Sequence, residues 1–102
     1  MHITFSKEIP YRDTTLNGLD FDLDSLTGND LIQAEESLRR SNANAPLWGT
    51  QHIIYIAAKS AHIPPDVLKG LSAKDFMTVY MAVSNFFGNM ASEESTPERS
   101  DA

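Results

Sequence analysis

Apolar positions recur along this chain with two different periods, and the change of period divides it into a short β region followed by helices. Leu19, Phe21 and Leu23 alternate with Asp20, Asp22 and Asp24, the period of a strand with one buried face. Asn17-Gly18, just before them, is a two-residue hairpin signal, because both residues accept positive φ at little cost. The spacing therefore predicts a hairpin over about residues 9–24, with Ile9 to Leu16 as partner strand and Pro10 at an edge. A lone hairpin is marginal in water, so this one has to pack on the helices or on another subunit.

Helical periods follow. Leu31, Ala34 and Leu38 form a narrow stripe in a helix predicted from Gly28 to Asn42, with Gln33, Glu36, Ser37, Arg39 and Arg40 facing water. Ser41 to Pro46 reads as a loop. A second helix, Trp48 to Ala61, carries Ile53, Ile54, Ile56, Ala57, Ala58 and Ala61 over roughly 200° of its surface, which marks the central helix of the fold. Pro64-Pro65 stops it, and Pro65 suits the first turn of a short helix through Leu68. The last helix is predicted from Ala73 to Phe87, closed by Gly88 as a C-terminal cap. Phe76, Val79, Tyr80, Val83, Phe86 and Phe87 share its core face, and Met77 and Met81 form a second, flanking apolar patch.

Two helix starts share one signature. Thr27-Gly28-Asn29-Asp30 and Ser72-Ala73-Lys74-Asp75 each place a hydroxyl three residues before a carboxylate, as a capping residue and an acid at the positive end of a helix require. The fold class predicted is mainly α: a small domain of three to four helices with an N-terminal β-hairpin, α+β by strict count. Residues 1–90 form the domain, and the polar segment 91–102 is expected to be a disordered acidic tail.

Composition narrows the function more than the fold. At 102 residues with 41% hydrophobic content the chain makes one domain with a modest core. It has no cysteine, which excludes disulfides and thiolate metal sites and suits a cytoplasmic protein. No signal-peptide core and no apolar run long enough for a membrane span occurs, so a soluble protein that stays where it is made is expected. The net charge of −6 sits at the two ends, −3 over residues 1–24 and −3 over residues 89–102, with residues 25–88 neutral. Arg39-Arg40 is the only basic cluster. Nucleic acid is therefore not an expected partner.

Candidate chemistry is sparse. Asp20, Asp22 and Asp24 suggest a calcium loop, but Ser25 and Leu31 stand where that loop needs glycine and a bidentate glutamate. His52 and His62 lie ten residues apart on the polar side of the second helix, a spacing that does not stack two ligands, and they read as solvated. There is no phosphate-binding glycine motif and no nucleophile elbow. No catalytic, cofactor or metal residue is predicted, and the expectation is a non-enzymatic binding module. Met77, Met81, Phe86 and Phe87, with Val67 and Leu68 in the adjoining turn, are the candidate partner-binding residues. A helix of this length in so small a domain does not easily bury both its Phe face and its Met patch, and Met-rich surfaces adapt to partners. Self-association is expected for the same reason.

Over roughly residues 14–88 the chain resembles the tail assembly chaperones of long-tailed bacteriophages. The resemblance rests on the strand Leu19-Asp20-Phe21-Asp22-Leu23 leading into Leu26-Thr27-Gly28-Asn29-Asp30, and on the central apolar helix. It continues through Ile63-Pro64-Pro65-Asp66-Val67-Leu68-Lys69-Gly70-Leu71-Ser72-Ala73-Lys74-Asp75-Phe76 and closes on Phe86-Phe87. What it implies is a chaperone of phage or prophage origin that binds the aggregation-prone tape measure protein in the host cytoplasm and is absent from the mature virion. The major tail protein is the second partner the resemblance implies, through a longer frameshifted product. Two alternatives from the residues alone stay open: a generic protein-interaction domain, and a regulator of helix-turn-helix type built on Ile53–Ala61 and Phe76–Phe87.

Overall fold

The computed structural model describes the backbone of residues 1–100 and side chains through Gly88. A two-stranded antiparallel hairpin, β1 (His2–Tyr11) and β2 (Thr14–Asp20), leads through a 3-10 turn at Leu23–Ser25 into four helices. These are α1 (Gly28–Ser41), α2 (Thr50–Ala61), α3 (Pro65–Lys69) and α4 (Ala73–Ser100). The mainly helical class with an N-terminal hairpin is the architecture expected from the sequence.

The hairpin turns in a different place from the one predicted over 9–24. The chain reverses at Arg12-Asp13, with Arg12 at φ 57°, and Asn17-Gly18 lies inside β2, Gly18 opposite Thr4. The reason is burial. Ile3, Phe5 and Ile9 alternate along β1 and all three are buried in the core, and pairing β1 from His2 onward brings Ile3 against Leu19 and Ile9 against Leu16. A turn at Asn17 would have left Ile3 and Phe5 without a partner strand. Gly18 instead meets a packing requirement: a Cβ there would stand 2.9 Å from both the His2 ring and the Ile3 carbonyl oxygen. Phe21 and Leu23 are buried as the alternation predicts, although β2 ends at Asp20.

Local signals set the helix starts. Thr27 caps α1 with a complete capping box: its hydroxyl accepts from the Asp30 N–H, and the Asp30 carboxylate accepts from the Thr27 N–H. Pro65 occupies the first turn of α3. The central helix is α2, where every residue from His52 to Ala58 is buried. It packs against α1, α3 and α4, and β1 closes the core from the side of α3 and α4.

Gly88 does not end α4. No described glycine has positive φ, and the helix runs through this position. A glycine ends a helix by turning left-handed; one that keeps helical dihedrals only weakens the helix, by about 1 kcal/mol relative to alanine. The tail expected over 91–102 falls on residues whose side chains, and for 101–102 whose backbone, lie outside the described residues. Among the described residues no helix is long and apolar enough to cross a membrane.

Candidate functional site

Helix α4 presents two different faces, and its first turn is anchored on one of them. Ser72 caps it, its hydroxyl accepting from the Asp75 N–H at 3.3 Å and its carbonyl from the Phe76 N–H at 2.8 Å. Asp75 does not complete the box as Asp30 does. Its carboxylate turns to β1 and accepts from the Ser6 N–H at 2.9 Å, the Lys7 N–H at 3.2 Å and the Ser6 hydroxyl at 3.1 Å. Ser6 and Lys7 lie in the stretch where β1 breaks its register with β2, between Thr4 and Ile9. A break of this kind leaves backbone N–H groups without ladder partners, and Asp75 supplies the acceptor. The carboxylate is only 4% exposed. The Ser6 N–H bond is the main influence holding its pKa below the usual value, with Lys7, Ser72 and the Ser6 hydroxyl adding to it and burial working against it.

With α4 fixed in this way, Val79 and Val83 are fully buried and Phe76, Tyr80, Phe86 and Phe87 pack partly against the core. Met77 and Met81 stand roughly 180° away on the helix, 48% and 50% exposed. No Asp, Glu, Lys or Arg occurs from Phe76 through Ser92. The Met pair shares the outward side of the helix with exposed Lys74 in its first turn and with exposed Thr78 and Asn85.

The six residues predicted to bind a partner do not form one surface. Met77 and Met81 lie on the outward face. Phe86 and Phe87 are half-buried at its edge, their rings edge to face at 5.0 Å. Val67 is half-buried on α3, which packs mainly on α2 and β1. Leu68 is 0% exposed and belongs to the core. A five-residue helix anchored by Pro65 at its start has one inward position to give, and Leu68 takes it.

A second cluster, at Leu47 and Trp48, was not anticipated as a surface. Both residues are about half exposed. Trp48 is not helical but left-handed, at φ 63°. Its ring lies between His52, at 5.1 Å, and Phe87, at 5.3 Å. The available sequence signal was an apolar pair enclosed by Pro46 and Gly49 in a loop.

His52 is not solvated, contrary to the expectation, and the reason is that α2 is buried from His52 through Ala58. It is 4% exposed. Its Nδ1 accepts from the Trp48 N–H at 2.8 Å, which assigns the ring proton to Nε2. Nε2 is buried without a partner among the described residues. Burial is the main cause lowering the pKa of this imidazole; Glu35 opposes the shift and Arg39 assists it. The neutral imidazole therefore holds Trp48 in its left-handed conformation. His62, by contrast, is exposed at the C-terminus of α2. Among the described residues no three His, Cys, Asp or Glu side chains are grouped to hold a metal ion.

No family model matches the chain, and no curated protein or solved structure reaches significant similarity to it.

Proposed function

We propose that this protein is a phage tail assembly chaperone that binds helical segments of a tape measure protein and keeps them soluble until the tail tube forms. The observation that carries the reading is the outward face of α4, where Met77 and Met81 are half exposed on a stretch without charge. A flexible, polarisable Met surface accommodates the varied apolar stripe of a long helical partner. Burying each large side chain is worth about 1.5–3 kcal/mol. The half-buried edge of Phe86 and Phe87 extends this surface toward Trp48. The protein acts by binding rather than by catalysis, works in the host cytoplasm and is absent from the finished virion. The same face supports self-association when the tape measure is missing, and the major tail protein is the second partner. A DNA-reading role is less well supported, since Lys74 is the only base between Ala73 and Gly88 and a recognition helix needs side chains for phosphates and base edges.

Co-expression tests the proposal. The tape measure protein encoded beside this chain should be soluble when both are made and aggregate when it is made alone. Equal solubility in both cases would remove the chaperone role.

A further inference from the structure

Described residues other than glycine take a left-handed φ at three positions, Arg12, Trp48 and His62. Trp48 is accounted for by His52. The other two lie in separate parts of the chain, one in the hairpin turn and one after α2, yet both line the same cavity of about 480 Å³. Lys59 from the last turn of α2 joins them there.

Neither left-handed position holds the residue that costs least there. Arg12 is the first residue of a two-residue hairpin turn, where glycine or asparagine is the low-cost choice at positive φ. His62 closes α2 in a Schellman arrangement, its own N–H donating to the Lys59 carbonyl and the Ile63 N–H to the Ala58 carbonyl, and glycine is the usual residue there. Each side chain is held at a backbone cost that glycine would avoid, of about 1 kcal/mol. In both cases the side chain is a cationic or proton-accepting one, in a chain whose net charge is −6. Such costs persist where the side chain serves something other than stability.

Among the described residues none of Arg12, Lys59 and His62 makes an ion pair. Arg12 lies over the Tyr11 ring, its guanidinium carbon 5.2 Å from the centroid. Lys59 Nζ donates to Gln33 Oε1, which steadies the ammonium without neutralising it. Apolar residues Leu26, Ile63 and Pro64 also line the cavity. One carboxylate, Asp30, also lines the cavity and is engaged by the Thr27 N–H and hydroxyl; the Thr27 N–H is the main influence lowering its pKa, and Lys59 and His62 are near enough to add to it.

We propose that this cavity is a binding site for an acidic segment of a partner protein, one that carries a carboxylate next to an apolar side chain. The cations receive the carboxylate through charge-assisted hydrogen bonds, and Leu26, Ile63 and Pro64 receive its apolar neighbour. Asp30 in the lining favours a single carboxylate over a phosphate dianion, which would meet greater repulsion from it. No α4 residue lines the cavity, so this site is independent of the Met77 and Met81 surface, and either can fail without the other.

The test uses the full chain labelled with 15N and a blocked Leu-Glu-Leu-Glu peptide, with the Leu-Gln-Leu-Gln peptide and inorganic phosphate as separate arms. The glutamate peptide should move the amide signals of Arg12, Lys59 and Ile63 in a saturable way, and the glutamine peptide should not. Lys59→Gln should weaken binding about tenfold, the scale of one hydrogen bond to a charged group. Arg12→Gly and His62→Gly should weaken it as well while leaving thermal stability unchanged or raised, a combination a purely structural role does not produce. Equal binding of the two peptides, binding of phosphate without the glutamate peptide, absence of saturable shifts, or full binding by the two glycine variants would each overturn the proposal.

Discussion

Helix α4 carries large apolar residues on two faces that have opposite relations to the rest of the molecule. Val79 and Val83 are fully buried, and Asp75, on the same side one turn earlier, is bonded into β1. Met77 and Met81 lie between these residues in sequence and half in water. Helical spacing separates the two faces, and the anchor agrees with it: Asp75, bonded at the register break of β1, shares the side of Val79 and Val83, and the Met pair points outward. One polar contact at the first turn thus ties the inward side to β1 and leaves the Met pair half in water.

Substitutions on the two faces should differ sharply. Val83→Ala should destabilise the protein by about 2–3 kcal/mol in denaturant unfolding, from lost burial and the cavity left behind. A loss below about 0.5 kcal/mol, the range of ordinary surface changes, would mean that the inward face is not the core.

The anchor itself comes next. Asp75→Asn keeps the size of the side chain but turns one acceptor oxygen into a donor facing the Ser6 and Lys7 N–H groups. It should lower Tm by more than Asp30→Asn, whose partners lie within its own helix start, and it should speed hydrogen exchange at Ser6 and Lys7. Similar Tm values for the two variants would reduce Asp75 to a local cap.

Acid should separate the elements in two stages. His52 has a folded pKa below its usual 6.5, so the unfolded chain binds the proton more readily and stability falls as pH drops below about 6.5. Protonation also removes the acceptor for the Trp48 N–H, so the fluorescence of Trp48, the only tryptophan, should report this stage. Asp75, lowered from 3.8, contributes stability above that value that is lost as pH falls through its folded pKa. His52→Gln should abolish the first stage and leave the second. A Trp48 signal that stays unchanged in the folded protein once the His52 ring is protonated, as NMR of the imidazole reports, would contradict the assignment of the ring proton.

Part of this was legible in the sequence and part was not, and the dividing line is the range of the interaction. The starts of α1, α3 and α4 follow from Thr27, Pro65 and Ser72, whose partners lie within three or four residues. The hairpin turn was misplaced because Asn17-Gly18 is a real local preference, overridden by the burial of Ile3 and Phe5 at the far end of β1. Asp30 and Asp75 carry the same signature and differ only in what the fold brings near them, which no local reading supplies. Met77 and Met81 were separable from the core by helical spacing, whereas Leu68 was not, since the inward side of so short a helix depends on its neighbours. His52 was misread because α2 is buried from His52 through Ala58, and its exposed polar residues stand only near its ends. The cavity joins Arg12, Lys59 and His62 from distant points of the chain and leaves no spacing signature.

The smallest stability effect belongs to the outward face. Met77→Ser with Met81→Ser should change unfolding free energy by no more than about 0.5 kcal/mol for each site and leave the circular dichroism spectrum unchanged. That silence makes the pair a clean probe of the claim that α4 has a face reserved for a partner. The direct measurement is co-expression of the proposed partner, a tape measure protein, with the wild-type chain and with this double variant, scored by the soluble tape measure recovered. The account predicts a soluble complex with the wild type and an aggregated tape measure with the variant, although the variant itself remains folded. Equal soluble recovery with both would contradict it and place the binding surface elsewhere on the molecule.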